Sequence, residues 1–278
     1  MLPDPIYSPP DDVSDPVKSF SEGSLGAGFV PLGLKEALLD LNKYEMFPLH
    51  VFVDSDLSSS RLEKLAEHVE EIAQKATTIF TLGDDEASWY PLVTQVLSFE
   101  NTTTPMFPYR FRTPELLLEQ ALNGSKPYSL SPFNDATAES MIPCCFVEVK
   151  SPTGSYFEAQ VQGTEVSLAT LKNISQMRPA SGKPESEHSI GAGSGQSIKP
   201  LPFITVVGHE WSLHWIYKRR DKNTVNAIGP ISIGGMSTRF SIYKLVNSIG
   251  KLRHWLEGEY GAWAKEWYGE GFSDDSEL

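Results

Sequence analysis

The sequence predicts a mixed α/β domain in which helices cover both faces of a β-sheet. Two observations carry this prediction: amphipathic helix patterns dominate residues 31–100, and a strand–helix–strand order occupies the second half. A run of helices followed by alternating strands and helices is typical of a sheet covered by helical layers. With 278 residues, of which 40% are hydrophobic, the chain is long enough to bury a large core without disulfides or metals.

The chain ends differ in composition from the interior. Residues 1–30 are rich in Pro, Ser, Asp and Gly, and residues 269–278 carry four acids, so we predict a disordered acidic arm, a folded domain over 31–268 and an acidic tail. A low-complexity stretch over 175–200 is predicted to be a mobile loop inside that domain.

The first half of the domain has two well-marked helix patterns. Residues 58–76 place apolar side chains at helical spacing behind a serine N-cap. A second helix is predicted to begin at Asp84 or Asp85, and Pro91 is close enough to its start to be tolerated.

The second half begins with the clearest strand, the apolar and β-branched segment CCFVEVK at 144–150, which we expect to be central in the sheet. The elements that follow are a helix over 156–174, a hairpin formed by 202–208 and 211–218, a strand over 224–235, and a long closing helix over 237–269. In the 156–174 helix, Phe157, Val161, Leu168 and Leu171 share one face, which we expect to pack on the sheet.

The formal net charge of −13 is unevenly distributed. Residues 54–100 hold ten acids against three bases, whereas residues 213–254 hold eight bases against one acid. Such polarity can attract an anionic ligand to one face, although separate solvated helix faces explain the charges equally well.

Targeting features are not apparent in the sequence. The start has no basic segment followed by an apolar one, and the apolar runs are too short to span a membrane. The only cysteines, Cys144 and Cys145, are adjacent, which excludes a disulfide framework and a multi-cysteine zinc site. We therefore expect an intracellular protein of the nucleus or cytoplasm.

The candidate chemistry is carried by the strand at 144–150. Glu148 and Lys150 are two residues apart, so their side chains project from the same face. A metal-dependent phosphodiesterase uses such a pair, because the carboxylate holds Mg²⁺ and the ammonium stabilises charge on the phosphate. The alternative at this point is a strand end that reaches solvent.

The segment PCCFVEVKSPTGSYFEAQVQ resembles the core of the PD-(D/E)XK nuclease superfamily, in which an E-x-K strand leads into a helix with an A-x-x-Q signature, here Ala159 and Gln162. An E-x-x-W helix upstream, Glu86 to Trp89, is similar to a fungal branch of that superfamily. The resemblance extends over residues 48–268. It implies a restriction-endonuclease-like core, with a central mixed β-sheet flanked by helices and a long C-terminal closing helix.

The resemblance also implies roles for individual residues. Glu148 would be a metal ligand, Lys150 the catalytic lysine, and Gln162 a residue that orients the site. Glu86 would supply a further carboxylate, and Asp135, thirteen residues before Glu148, is the candidate for the aspartate that the superfamily places on the preceding strand. The implied cofactor is Mg²⁺ or Mn²⁺, and the implied reaction is the hydrolysis of phosphodiester bonds in DNA.

Two alternatives remain open. The segment around Asp135 lacks a strand pattern, so the chain is either a nuclease or a catalytically degenerate member of the same fold that binds nucleic acid or protein. The basic loop, defined as Lys218, Arg219, Arg220 and Lys222, is predicted either to bind phosphates or to act as a solubilising turn.

Overall fold

The structure is a computed structural model of the 278-residue chain. It describes residues 11–24, 28–41, 47–83, 85–99, 110–112, 141–176, 198–219 and 224–268. The helices are α1 (Asp11–Ser24), α2 (Lys35–Leu41), α3 (Ser59–Leu82), α4 (Glu86–Ser98), α5 (Tyr156–Gln176), α6 (Arg239–Trp255) and α7 (Gly261–Tyr268). The strands are β1 (Val30–Pro31), β2 (Phe52–Val53), β3 (Arg110–Arg112), β4 (Met141–Pro143), β5 (Phe146–Lys150), β6 (Leu201–Val207), β7 (Glu210–Lys218) and β8 (Val225–Gly235).

The main sheet is mixed and has the order β5-β6-β7-β8. Strands β5 and β6 run parallel and are connected through α5, whereas β6, β7 and β8 form antiparallel pairs. The predicted mixed α/β class and the predicted hairpin are therefore confirmed, although the turn occupies residues 208–209 and not His209-Glu210 as predicted. The prediction that residues 144–150 form a central strand is wrong for the described part of the chain, where β5 is the end strand of this sheet.

Strand β5 is nevertheless buried, because α4 and α5 pack against it. Cys144 and Cys145 have no exposed surface, and Val149 is 2% exposed. The burial expected for these apolar residues is confirmed.

Helix α5 covers one face of the sheet with small side chains. Its inward residues are Ala159, Gly163, Ser167, Thr170 and Ile174, all buried. The expected inward face is wrong in three positions: Phe157 is 73% exposed, and Val161 and Leu168 are each 38% exposed, whereas Leu171 is buried. The small residues face the sheet because they allow the helix axis to approach it closely.

The closest approach is at Gly163, where a Cβ would lie 2.5 Å from Cδ2 of Phe203. Gly163→Ala should therefore destabilise the fold by up to ~2 kcal/mol, because overpacking typically costs ~1–3 kcal/mol while the gain in helix propensity is ~1 kcal/mol. The ring of Phe203 cannot move freely, since it stacks on His214 with centroids 4.4 Å apart. Urea unfolding measures the change.

Gly250 in α6 provides the matched control, because a Cβ there meets nothing within 4 Å. Gly250→Ala should stabilise the protein by up to ~1 kcal/mol. If the two alanine variants unfolded at the same urea concentration, the close packing of α5 on the sheet would be contradicted.

The opposite face of the sheet is covered by α6, with α3 packed beside it. Trp215 of β7 contacts Trp255 with ring centroids 4.8 Å apart, while the neighbouring His214 points to the α5 side. Arg239 holds α6 to α3 through two hydrogen bonds to Glu70, of 2.7 and 2.9 Å, which lower the pKa of the Glu70 carboxyl.

The chain ends partly differ from the sequence predictions. Residues 11–24, inside the segment predicted to be disordered, form α1, which packs against the sheet through Phe20, 6.0 Å from Trp215. The closing helix runs through α6, a π-helical turn (Leu256–Tyr260) and α7. Most of the predicted mobile loop and the whole acidic tail lie outside the described residues. Among the described helices, none combines the length and apolar character needed to cross a membrane.

Candidate active site

Three carboxylates from three different elements surround one lysine. The Nζ of Lys150 lies 3.2 Å from Glu148 Oε1, 3.5 Å from Glu158 Oε1 and 3.8 Å from Glu86 Oε2. We call these four residues the Lys150 cluster. The lysine side chain is 12% exposed, whereas the three glutamate side chains are between 30% and 56% exposed. The cluster is thus open to solvent on its acidic side.

The fold brings these residues together at the carboxyl end of the parallel strands. The pleat of β5 directs Glu148 and Lys150 to the face that α5 covers, and Thr205 lies beside Glu148 on β6. Helix α5 begins six residues after Lys150, so Glu158 lies in its first turn. Ligands of open α/β sheets commonly bind at this end of the strands.

Glu86 reaches the cluster from the first residue of α4. Asp85 caps that helix, and its side chain accepts a hydrogen bond of 3.2 Å from the backbone N–H of Ser88. The hydroxyl of Tyr90 donates a bond of 2.9 Å to Glu86 Oε1, which leaves Oε2 facing Lys150. The Glu86 carboxylate is therefore held in orientation by its own helix.

Gln162 lies one turn beyond Glu158 on the same face of α5. Its amide nitrogen donates a hydrogen bond of 3.3 Å to Glu158 Oε1. Its amide oxygen is buried and has no hydrogen-bond partner among the described residues. A buried acceptor without a partner costs free energy, and an ordered water or an ion is a usual partner for such an atom.

The electrostatics of the cluster favour a charged lysine. Burial alone would lower the pKa of Lys150, but the hydrogen bond and charge of Glu148, together with the charges of Glu86 and Glu158, raise it above its usual value. Burial and the bond to Glu86 raise the pKa of the Tyr90 hydroxyl. At neutral pH Lys150 is a cation, which suits the stabilisation of negative charge and excludes a role as general base.

A buried polar chain supports the first turn of α5 from below. The Nε2 atom of His214 lies 3.1 Å from the Thr205 hydroxyl and 3.3 Å from the Tyr156 hydroxyl. Burial lowers the pKa of His214 to about 4, so its ring is neutral at physiological pH. This chain joins the helix that carries Glu158 to two strands of the sheet.

The sequence predictions for the site fall into three groups. Glu86, Glu148, Lys150 and Gln162 are brought together in the structure. Asp135 lies outside the described residues, and its role stays a prediction. Glu158 was missed, although its position four residues before Gln162 places both on one helix face and could have indicated it.

The described part of the basic loop, Lys218 and Arg219, is at the end of β7 that is remote from the Lys150 cluster. Val207, which pairs with Lys150, is opposite Glu210 at the start of β7, whereas Lys218 ends that strand. At roughly 3.3 Å per residue, the eight intervening steps correspond to about 26 Å. Lys218 and Arg219 are therefore near the end of β7 that is remote from the cluster, while Arg220 and Lys222 lie outside the described residues, and phosphate binding by the basic loop stays a prediction.

The donor chemistry of the cluster matches a hard divalent cation. Carboxylate and amide oxygens are the protein ligands that Mg²⁺ prefers, and one or two carboxylates suffice when water and substrate supply the remaining positions. In the described stretches, no group of three or more His, Cys, Asp or Glu residues is arranged to hold a metal ion. Glu86, Glu148 and the amide oxygen of Gln162 have the donor chemistry of a partial ligand set for such an ion.

The comparison with protein families agrees with this geometry. The sequence model of the PD-(D/E)XK nuclease superfamily matches residues 111–261, more than half of the chain. Neither a curated protein sequence nor a solved structure shows significant similarity to this chain. The matched region contains the E-x-K strand, the crossover helix and the hairpin that follows. The chain therefore belongs to the PD-(D/E)XK nuclease superfamily.

Proposed function

We propose that this protein hydrolyses phosphodiester bonds in DNA with the help of Mg²⁺ or Mn²⁺ bound at the Lys150 cluster. The observation that carries the proposal is the meeting of a charged lysine with Glu148, Glu86 and Glu158 at the carboxyl end of two parallel strands. Membership of a nuclease superfamily supports the reaction class.

In this proposal Glu148 and Glu86 hold the cation, with Asp135 as a further ligand. The cation, when bound, lowers the pKa of a water molecule and polarises the phosphoryl oxygen. Lys150 contributes its positive charge where negative charge develops on the phosphate. Gln162 uses its unpartnered oxygen to orient the attacking water or a ligand of the cation.

The basic loop is proposed to bind the DNA backbone away from the cleavage point. Lys218 is exposed at the end of β7. Measured along β7 from Glu210, the end of the strand nearest Lys150, it is about 26 Å away at roughly 3.3 Å per residue. This distance corresponds to about eight nucleotides at ~3.4 Å per phosphate along one strand. Phosphate contacts at such a distance would fix the register of the substrate without reading its sequence.

The test is cleavage of supercoiled plasmid and of end-labelled oligonucleotides by the purified wild-type chain. We expect nicking in the presence of Mg²⁺ or Mn²⁺ and none when EDTA is added, because EDTA chelates the cation and removes it from the oxygen ligands. An RNA oligonucleotide of the same sequence is the matched control for the substrate class. Cleavage of RNA alone would contradict the choice of DNA.

A second function has one observation in its favour. Lys150 already neutralises part of the acidic set, and no group of three metal-binding residues occurs in the described ranges. These facts suit a catalytically degenerate member of the superfamily that binds nucleic acid or protein. Metal-independent DNA binding without any cleavage, in the same preparation, would favour this alternative over the proposed hydrolysis.

The location that we propose is intracellular, in the nucleus or cytoplasm. Both cysteines carry thiols that have no exposed surface, and burial raises the pKa of the Cys145 thiol, so they behave as small apolar core residues. Free thiols are the usual state of cysteine in a reducing compartment. Imaging of a fluorescent fusion tests this location.

A further inference from the structure

The described residues contain three Phe, Tyr or Trp side chains that are more than a third exposed. They are Phe80 at 53%, Tyr90 at 49% and Phe157 at 73%. We call these three residues the aromatic rim. Large exposed rings are unfavourable in water, and several of them around one point indicate a surface that binds a partner or ligand.

The three residues lie at the same end of the sheet as the Lys150 cluster. The Tyr90 hydroxyl binds Glu86 directly, and Phe157 precedes Glu158 in the first turn of α5. Phe80 lies on His209, with ring centroids 4.8 Å apart. His209 follows Gly208, whose backbone N–H donates a bond of 2.9 Å to the carbonyl of Lys150. The rim thus shares one end of the sheet with the cluster.

The local charges do not favour a polyanion held by ion pairs. Three glutamates face Lys150, and Asp85 lies next to Glu86 in sequence. Both arginines of α6 are engaged elsewhere: Arg239 donates to Glu70, and Arg253 donates to the carbonyl of Phe99 at 3.0 Å. A nucleic-acid strand at this end therefore needs another source of affinity, and stacking of bases on aromatic rings supplies it.

We propose that the aromatic rim stacks on unpaired bases, so that the strand at the Lys150 cluster is single-stranded DNA, as in a flap, a frayed end or a free strand. This inference rests on the proposed function, since it names the form of the substrate for that same site. Bases in an intact duplex are stacked on each other and cannot present a face to Phe157 or Tyr90. Single strands expose that face at every position.

Binding is tested with the full chain carrying Glu148→Gln, which prevents cleavage, in the presence of Mg²⁺. The probes are a fluorescein-labelled oligonucleotide with one 2-aminopurine and the blunt duplex of the same sequence. We expect the single strand to bind at least about tenfold more tightly than the duplex. Phe157→Leu should weaken single-strand binding about tenfold, within the range of base–aromatic stacking, and should reduce quenching of 2-aminopurine.

Two further variants separate a ring from apolar bulk. Phe157→Trp should retain binding and quenching, whereas Leu168→Ala, on the same exposed stripe of α5 and 38% exposed in the wild type, should change the affinity less than about twofold. Equal affinity for single strand and duplex would overturn the inference. So would a Phe157→Leu variant that binds as well as Leu168→Ala.

Two experimental outcomes separate base stacking on the aromatic rim from the proposed hydrolysis. If binding of single strands depends on the rings but the wild-type chain cleaves no DNA, base stacking on the aromatic rim is supported and the proposed hydrolysis is wrong. If the wild type cleaves DNA and Phe157→Leu changes neither binding nor cleavage, the proposed hydrolysis is supported and base stacking on the aromatic rim is contradicted.

Discussion

DNA incubated with Mg²⁺ and the Lys150→Met protein should be cleaved at least ~10²–10³-fold more slowly than with the wild type, because loss of one charge-stabilising group at a reaction centre typically has this effect. Methionine keeps the length of the side chain and removes its charge. The measurement is the rate of plasmid nicking at equal protein concentration, with far-UV circular dichroism to show that both proteins are folded.

Two glutamate variants act as controls for this prediction. Glu148→Gln should reduce cleavage as strongly as Lys150→Met, since it removes a proposed ligand of the cation. Glu158→Gln should have a smaller effect, because this side chain is 56% exposed and its amide can still accept the hydrogen bond from Gln162. Full activity of the Lys150→Met protein would show that the nicking comes from another site or a contaminant.

The free energy of unfolding should fall by about 3 kcal/mol more in the wild type than in a His214→Gln variant as the pH is lowered from 7 to 4. The pKa of His214 is lowered from 6.5 to about 4 in the folded chain. The unfolded chain therefore binds a proton below pH 6.5 while the folded chain does not, so stability is lost as the pH falls through this interval. Each unit of pKa difference corresponds to ~1.4 kcal/mol.

Urea unfolding at several pH values measures this difference. The carboxylates contribute to acid unfolding in both proteins, so the comparison isolates His214. Glutamine retains an acceptor for the hydroxyls of Tyr156 and Thr205 that surround the ring. Parallel curves for the two proteins between pH 7 and pH 4 would contradict a buried neutral histidine.

Most elements of the fold could be predicted from the spacing of apolar residues in the sequence. The buried β5, the hairpin over 208–209 and the closing helix each have patterns that local sequence determines, and α3 begins at Ser59 as its N-cap signal indicates. The helix continues to Leu82, beyond the predicted end, until Gly83 adopts a left-handed conformation that ends it. These elements depend on residues near in sequence.

The orientation of α5 could not be obtained in this way. Counting large apolar residues places Phe157 and Val161 inward, whereas the structure turns the side with Gly163 and Ser167 to the sheet. Steric fit between Gly163 and Phe203 decides the orientation, and such a fit involves residues that are distant in sequence. The same reorientation brings Glu158 to the cluster, which explains why this residue was missed.

The candidate site residues that belong to a short sequence motif could be predicted. Glu148, Lys150 and Gln162 follow from one continuous segment, and Glu86 from a second one upstream. The position of Lys218 depends instead on the length and direction of β7, which a list of charges does not contain. Asp135 remains a prediction from the family resemblance.

The origin of the cluster residues in the chain has a consequence for the order of folding. Glu148, Lys150 and Glu158 belong to neighbouring elements, so their contacts close short loops, whereas Glu86 comes from the other side of residues 101–140. Closing the longer loop has the larger entropic cost, and contacts of high sequence separation form more slowly. A nascent chain would therefore assemble the β5–α5 half of the site first, and its catalytic competence would report that α4 has docked.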